Sequence, residues 1–168
     1  MNLNKIKSLF LWNSSQNGLN PPEITRFEIF ESLTPVEASI VERIAYRRSF
    51  KPGERIVNEG DAAVGLYLLK SGEVKVFKTI KNRQIELATM QEGSFFGELT
   101  LLKERKRSAT IIATEPTEVL CLFRPDFLDI LENNPSICAK FLPKFCTTIL
   151  NRINNMYDEI QKISSESE

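Results

Sequence analysis

Gly65-Leu-Tyr-Leu-Leu-Lys-Ser-Gly-Glu-Val-Lys-Val-Phe-Lys78 sets two short runs of aliphatic, β-branched and aromatic residues on either side of Ser71-Gly72. Runs this short, bounded by a glycine turn, read as paired strands rather than helices. The same pattern extends in both directions. Glu54–Val57 lies upstream, and Ile85–Met90, Ser94–Phe96, Ser108–Thr114 and Glu118–Phe123 lie downstream. Lys51-Pro52-Gly53, Glu59-Gly60-Asp61, Lys81-Asn82 and Glu92-Gly93 supply turns between them, and six of the seven glycines fall inside this region. The pattern predicts roughly seven or eight strands in an antiparallel sandwich or jelly roll (double-stranded β-helix), rather than a parallel α/β sheet.

Helices flank the strands. Thr34 is a sequence-perfect N-cap, with Pro35 suited to the first helical position and Glu37 completing a capping box; Val36, Ile40, Val41 and Ile44 are predicted to form the inward face. From Pro125 the period is helical again, with a short helix to about Asn133 and a longer one from Pro135 to about Ile163. The longer helix carries Cys146, Ile149, Ile153, Met156, Ile160 and Ile163 at alternating spacings of four and three. Such a stripe serves either packing on the β-domain or a coiled coil, and the heptad spacing favours a homodimer. Leu3, Ile6, Leu9 and Phe10, with Lys5 and Lys7 set apart from them, predict an N-terminal amphipathic helix, followed by a loop from Asn13 to Pro22. The expected organisation is an arm over 1–26, a β-roll with its first and following helices over 27–133, and a lid or dimerisation helix with a polar tail over 134–168.

Composition narrows the chemistry. The 168 residues suit one domain, 42% are hydrophobic, and Lys+Arg and Asp+Glu both number 22, so no net field draws the chain to nucleic acid or to an anionic membrane. Any anion must be held locally. Histidine is absent, which removes the commonest general base and zinc ligand. No paired acid/base spacing, P-loop or nucleophile motif emerges, so neither catalytic residues nor a metal site is expected and the chain reads as a non-enzyme. Cys121, Cys138 and Cys146 sit among apolar residues without C-x-x-C spacing and read as buried thiols in a reducing compartment. The apolar run near the N-terminus is about five residues, short of the ~7–15 of an export signal, and nothing approaches the ~20 of a membrane span. A cytoplasmic protein is expected, with no membrane contact by the arm.

The segment Phe96-Gly-Glu-Leu-Thr-Leu-Leu-Lys-Glu-Arg-Lys-Arg-Ser-Ala-Thr110 carries the chemistry. A glycine allows close backbone approach, the residues after it begin a short helix whose first N–H groups lack partners, and Arg107 follows Glu98 by nine positions. These are the parts of an anion cradle. With its setting, the segment closely resembles the phosphate-binding cassette of the cyclic-nucleotide-binding domain family, of the catabolite-activator and kinase-regulatory-subunit type, which reads F-G-E-L-A-L, a loop, then P-R-x-A. Phe30-Glu-Ser-Leu-Thr34, Pro52-Gly-Glu54, Glu59-Gly-Asp61 and Ser71-Gly-Glu-Val-Lys-Val76 extend the resemblance over roughly residues 27–160.

The resemblance implies that Arg107 clamps a cyclic phosphate and Glu98 accepts from the ribose 2′-hydroxyl, with further donors from Gly97, Leu99, Ser108 and Ala109. Charge-assisted hydrogen bonds contribute about 1.5–3 kcal/mol each, a large part of the ~8 kcal/mol of micromolar binding. It further implies a pocket floor of Val76, Leu87 and Ala88, and a C-terminal lid over the base near Arg152 to Asn155. Ser108, where the family's threonine accompanies cyclic GMP, favours cyclic AMP. Lys106 stands where the family has proline, losing a pre-organising residue but adding charge beside the phosphate. Thr100 replaces a small residue, on the outer side of the short helix or against the ligand. The expectation is a stand-alone receptor signalling through an unidentified effector protein. No helix-turn-helix pattern follows residue 163, and Lys103, Arg105, Lys106 and Arg107 read as a solvated loop rather than a DNA contact. The competing expectation is a ligand-free interaction platform in which Glu98 and Arg107 pair with each other.

Overall fold

The computed structural model describes residues 21–165; the predicted N-terminal amphipathic helix lies outside them. Two 3-10 turns, Glu23–Arg26 and Glu28–Phe30, lead into helix α1 (Pro35–Glu42). The predicted capping box is present. Thr34 Oγ1 accepts the Glu37 N–H at 3.3 Å, and the Glu37 carboxylate accepts the Thr34 N–H at 2.7 Å. Ala38 and Val41 are buried, and Ile40 and Ile44 pack against the core, but Val36 is 72% exposed. It stands two residues from Ala38, about 200° round the helix, and so faces water.

Eight strands follow: β1 (Ala45–Phe50), β2 (Arg55–Val57), β3 (Gly65–Ser71), β4 (Glu73–Ile80), β5 (Arg83–Gln91), β6 (Phe95–Phe96), β7 (Thr110–Ala113) and β8 (Thr117–Phe123). They form two antiparallel sheets in the orders β1-β8-β3-β6 and β2-β7-β4-β5, which is the strand order of an eight-stranded jelly roll. The sequence reading overlooked β1. Its interior residues Tyr46, Arg47, Arg48 and Ser49 are all exposed, so it carries no buried-face alternation; it is an edge strand identified by its ladder to β8.

The continuous apolar run of β3 has a physical reason. Leu66 and Leu68 point into a core shared with the helices, whereas Tyr67 and Leu69 point into the core between the sheets. On β8, Leu120 and Leu122 take the first core and Val119 and Cys121 the second. A sheet covered on both faces needs apolar side chains on both.

After the single turn α2 (Leu99–Leu102), helix α3 (Arg124–Asn133) and helix α4 (Pro135–Ser165) close the helical layer. Ile137, Phe141 and Phe145 repeat every four residues along α4 and are buried; the Phe141 ring stacks on Phe30 at 5.4 Å and meets Phe127 edge-on at 5.0 Å. Beyond this anchor the stripe emerges: Ile149 is half-buried against the core, while Ile153 and Met156 are exposed. The side chains of Ile160 and Ile163 lie outside the described residues. Cys121 is buried as expected, but Cys138 is half-buried and Cys146 exposed, because the adjacent Phe145 takes the inward position. Among the described residues no helix is long and apolar enough to cross a membrane.

Candidate functional site

A cavity of about 500 Å³ opens between the β2-β7-β4-β5 sheet, the segment from Phe96 to Ala109 and the C-terminal half of α4. All of the predicted contacts line it: Gly97, Glu98, Leu99, Arg107, Ser108 and Ala109 from the segment between β6 and β7, Val76, Leu87 and Ala88 from the sheet, and Arg152 and Asn155 from α4. That consecutive residues Leu87 and Ala88 both reach one cavity contradicts simple strand alternation. The register explains it: Val76 pairs with Ala88 and Phe77 with Glu86, so Leu87 is a bulge residue.

Arg107 is 7% exposed. Its Nη2 donates to the Gly65 carbonyl at 3.0 Å and its guanidinium stacks over the Tyr67 ring at 5.0 Å. Among the described residues no carboxylate lies within ion-pair distance of it, and burial lowers its pKa from the ordinary value. The charge is therefore desolvated and only partly compensated, the condition in which an incoming anion is most favoured. Gly97 makes this packing possible: with φ of +78° it adopts a left-handed conformation, and a Cβ there would sit 2.1 Å from Arg107 Nη1.

Glu98 is 9% exposed and does not pair with Arg107. Its Oε1 lies 2.8 Å from Arg152 Nη1, while Arg152 Nη2 donates to the Phe95 carbonyl at 2.7 Å and the guanidinium covers the Phe95 ring at 4.5 Å. A single helical turn, α2 (Leu99–Leu102), follows Glu98. The N–H groups of Glu98, Leu99, Ser108 and Ala109 donate to no protein acceptor among the described residues. A buried cation, a buried carboxylate and free N–H donors thus converge on one cavity.

The sequence profile of the Cyclic nucleotide-binding domain family matches residues 47–134, just over half of the chain. The chain belongs to this family. The domain is 37% identical over 110 residues to the Cyclic AMP receptor protein of Thermus thermophilus, covering 65% of this chain and 51% of that protein. It is 40% identical over 107 residues to a cGMP-dependent protein kinase of Eimeria tenella, covering 64% of this chain and 10% of the kinase. It thus spans about half the length of the first relative and a tenth of the second. Its fold is similar to a cyclic nucleotide-binding domain from Methylobacillus flagellatus, with a TM-score of 0.74, 25% identity and coverage of 84% of this chain and 80% of that one. The family is typically regulatory and not catalytic.

The domain's two departures from the family pattern have structural counterparts. Lys106 forms an isolated bridge with Ala62, and the loop around it is fastened by backbone bonds from Ala63 N–H to Arg105, Gly60 N–H to Arg107, and Arg107 N–H to Asp61, at 3.0, 2.9 and 2.8 Å. Those bonds supply the order that a proline would impose through φ. Thr100 is 1% exposed and borders the cavity, so its added bulk is packed inside the domain and not on an exposed outer face. Gly65 and Tyr67, which hold Arg107, and Met156, which joins Arg152 and Asn155 at the mouth, were missed in sequence because their roles depend on strand and helix neighbours.

Proposed function

We propose that this domain is a cyclic nucleotide receptor, selective for cyclic AMP over cyclic GMP, and that it is not an enzyme. The observation that carries the reading is Arg107: a buried guanidinium, held by one carbonyl and one aromatic face, with no carboxylate partner among the described residues. A singly charged phosphodiester supplies the missing counter-charge. The free N–H groups of Leu99, Ser108 and Ala109 suit its exocyclic oxygens, Glu98 suits the 2′-hydroxyl, and Val76, Leu87 and Ala88 suit the apolar face of ribose and base. Ser108 in place of threonine supports adenine, and Arg152 and Asn155 are placed by this reading at the base.

Glu98 serves ligand and helix together. A 2′-hydroxyl bonded to Glu98 alters the carboxylate that Arg152 holds, so binding biases the position of α4. The signal then passes to a second copy through the exposed stripe of α4 or to a separate effector protein, in the cytoplasm. Isothermal titration with cyclic AMP and cyclic GMP tests the reading. Micromolar or tighter binding of cyclic AMP, lost in Arg107→Ala, is expected; no heat with either nucleotide would favour a ligand-free interaction platform instead.

A further inference from the structure

Lys78 belongs to none of the predicted contacts, yet it grips the loop that follows Arg107. It stands on β4 two residues beyond Val76, so both side chains share the face of the sheet that floors the cavity. Its Nζ donates to the Ser108 carbonyl at 2.6 Å and to Glu59 Oε1 at 2.6 Å. Glu59 is itself anchored, because its Oε2 accepts the Thr79 N–H at 2.9 Å and its own N–H donates to Thr110 Oγ1 at 3.0 Å. The neighbouring residues of the same turn hold Arg107 from both sides, through Gly60 N–H to the Arg107 carbonyl and Arg107 N–H to the Asp61 carbonyl. The segment from Arg107 to Thr110 is thus tied at two backbone atoms of Arg107, at the carbonyl of Ser108 and at the hydroxyl of Thr110.

We propose that Lys78 is a positioning residue for the nucleotide's phosphate, acting through the peptide unit that joins Ser108 to Ala109. This rests on the cyclic nucleotide reading above. The Ser108 carbonyl and the Ala109 N–H belong to one planar trans peptide, in which they point in opposite directions. Tying the carbonyl to Lys78 therefore turns the Ala109 N–H away from β4 and fixes its aim. A cation on the carbonyl also polarises the peptide, which strengthens the N–H as a donor to an anion. Glu59 keeps Lys78 in place, its carboxyl held below the ordinary range first by the Lys78 hydrogen bond and then by the Thr79 N–H. In a loop with Lys106 instead of proline, this tie supplies order that the covalent chain lacks.

The experiment compares wild type, Lys78→Met and Lys78→Arg by titration with cyclic AMP and with its two phosphorothioate diastereomers, in which sulfur replaces one or the other exocyclic oxygen. Lys78→Met is expected to weaken cyclic AMP binding roughly fivefold to tenfold and to change the preference between diastereomers, since one oxygen loses an aimed donor. Lys78→Arg is expected to restore both. A role in general stability would lower the melting temperature and leave the diastereomer ratio alone. Lys78→Met binding cyclic AMP within about twofold of wild type, with an unchanged ratio, overturns the proposal. Amide hydrogen exchange of the ligand-free proteins separates this outcome from failure of the nucleotide reading. If wild type binds no nucleotide, that reading falls; faster exchange of the Gly60 and Arg107 amides in Lys78→Met would still support the fastening, and unchanged exchange would overturn it.

Discussion

Arg152 of α4 and Glu98 at the start of α2 form an ion pair of 2.8 Å at the mouth of the cavity, and the same arginine bonds the Phe95 carbonyl three residues upstream. The C-terminal half of the helix is thereby tied to the residue proposed to read the ribose. Glu98→Gln should weaken cyclic AMP binding about tenfold or more, the value of one charge-assisted hydrogen bond. It should leave the affinity for 2′-deoxy cyclic AMP close to that of wild type. Equal losses for the two ligands in calorimetry would remove Glu98 from the ribose.

Arg107 separates binding from folding. Its charge is buried with little compensation, so Arg107→Leu, which keeps much of the volume and removes the desolvation cost, should leave the melting temperature of the free protein unchanged or higher. Cyclic AMP should then produce no thermal shift, whereas it should raise the melting temperature of wild type. A variant that melts well below wild type would show that the guanidinium supports the fold more than the ligand.

Gly97→Ala combines two penalties, a left-handed backbone at φ of +78° and a Cβ placed 2.1 Å from Arg107 Nη1 and 2.7 Å from the Gly65 carbonyl. Denaturant unfolding should report a loss of about 1–3 kcal/mol, with nucleotide binding impaired because Arg107 is displaced. Unaltered unfolding and binding would mean that the loop relaxes freely.

Glu37 couples α1 to α4 through Lys140 Nζ, at 2.6 Å, and Ser136 Oγ. Burial opposes ionisation of its carboxyl, but the bonds from Lys140, Ser136 and Thr34 outweigh it and hold the pKa at about 2. A pKa lowered on folding contributes stability above the unfolded value of about 4.3, and that contribution is lost as pH falls toward 2. Between pH 5 and pH 2, on the order of the interval those two values define, wild type should therefore lose more stability than Glu37→Gln. Parallel pH curves for the two proteins would contradict the assignment.

The exposed side of α4 presents Leu150, Ile153, Met156 and Tyr157. If this stripe joins two copies, sedimentation should show a wild-type dimer that Ile153→Asp converts to a monomer. A monomeric wild type would leave the stripe to an effector.

Features encoded over short stretches were legible in the sequence. Ser71-Gly72 and its neighbouring turns mark strand ends because glycine tolerates positive φ, and Thr34, Pro35 and Glu37 announce a helix start because their bonds close within one turn. Gly97, Glu98 and Arg107 could be selected because one segment contains them all. Strand β1 was not legible, since four exposed residues carry no face pattern until β8 pairs with them. Nor was the partner of Glu98, which two neighbouring arginines satisfy equally well on chemistry alone. The contacts that complete the site join residues 42 positions apart between Arg107 and Gly65, 30 between Lys78 and Ser108, and 57 between Arg152 and Phe95. The sequence by itself determined which residues hold the chemistry and how each local element begins and ends. Only the packing of two sheets and a long helix decided which charge each carboxylate meets, because that pairing depends on distances no local pattern encodes.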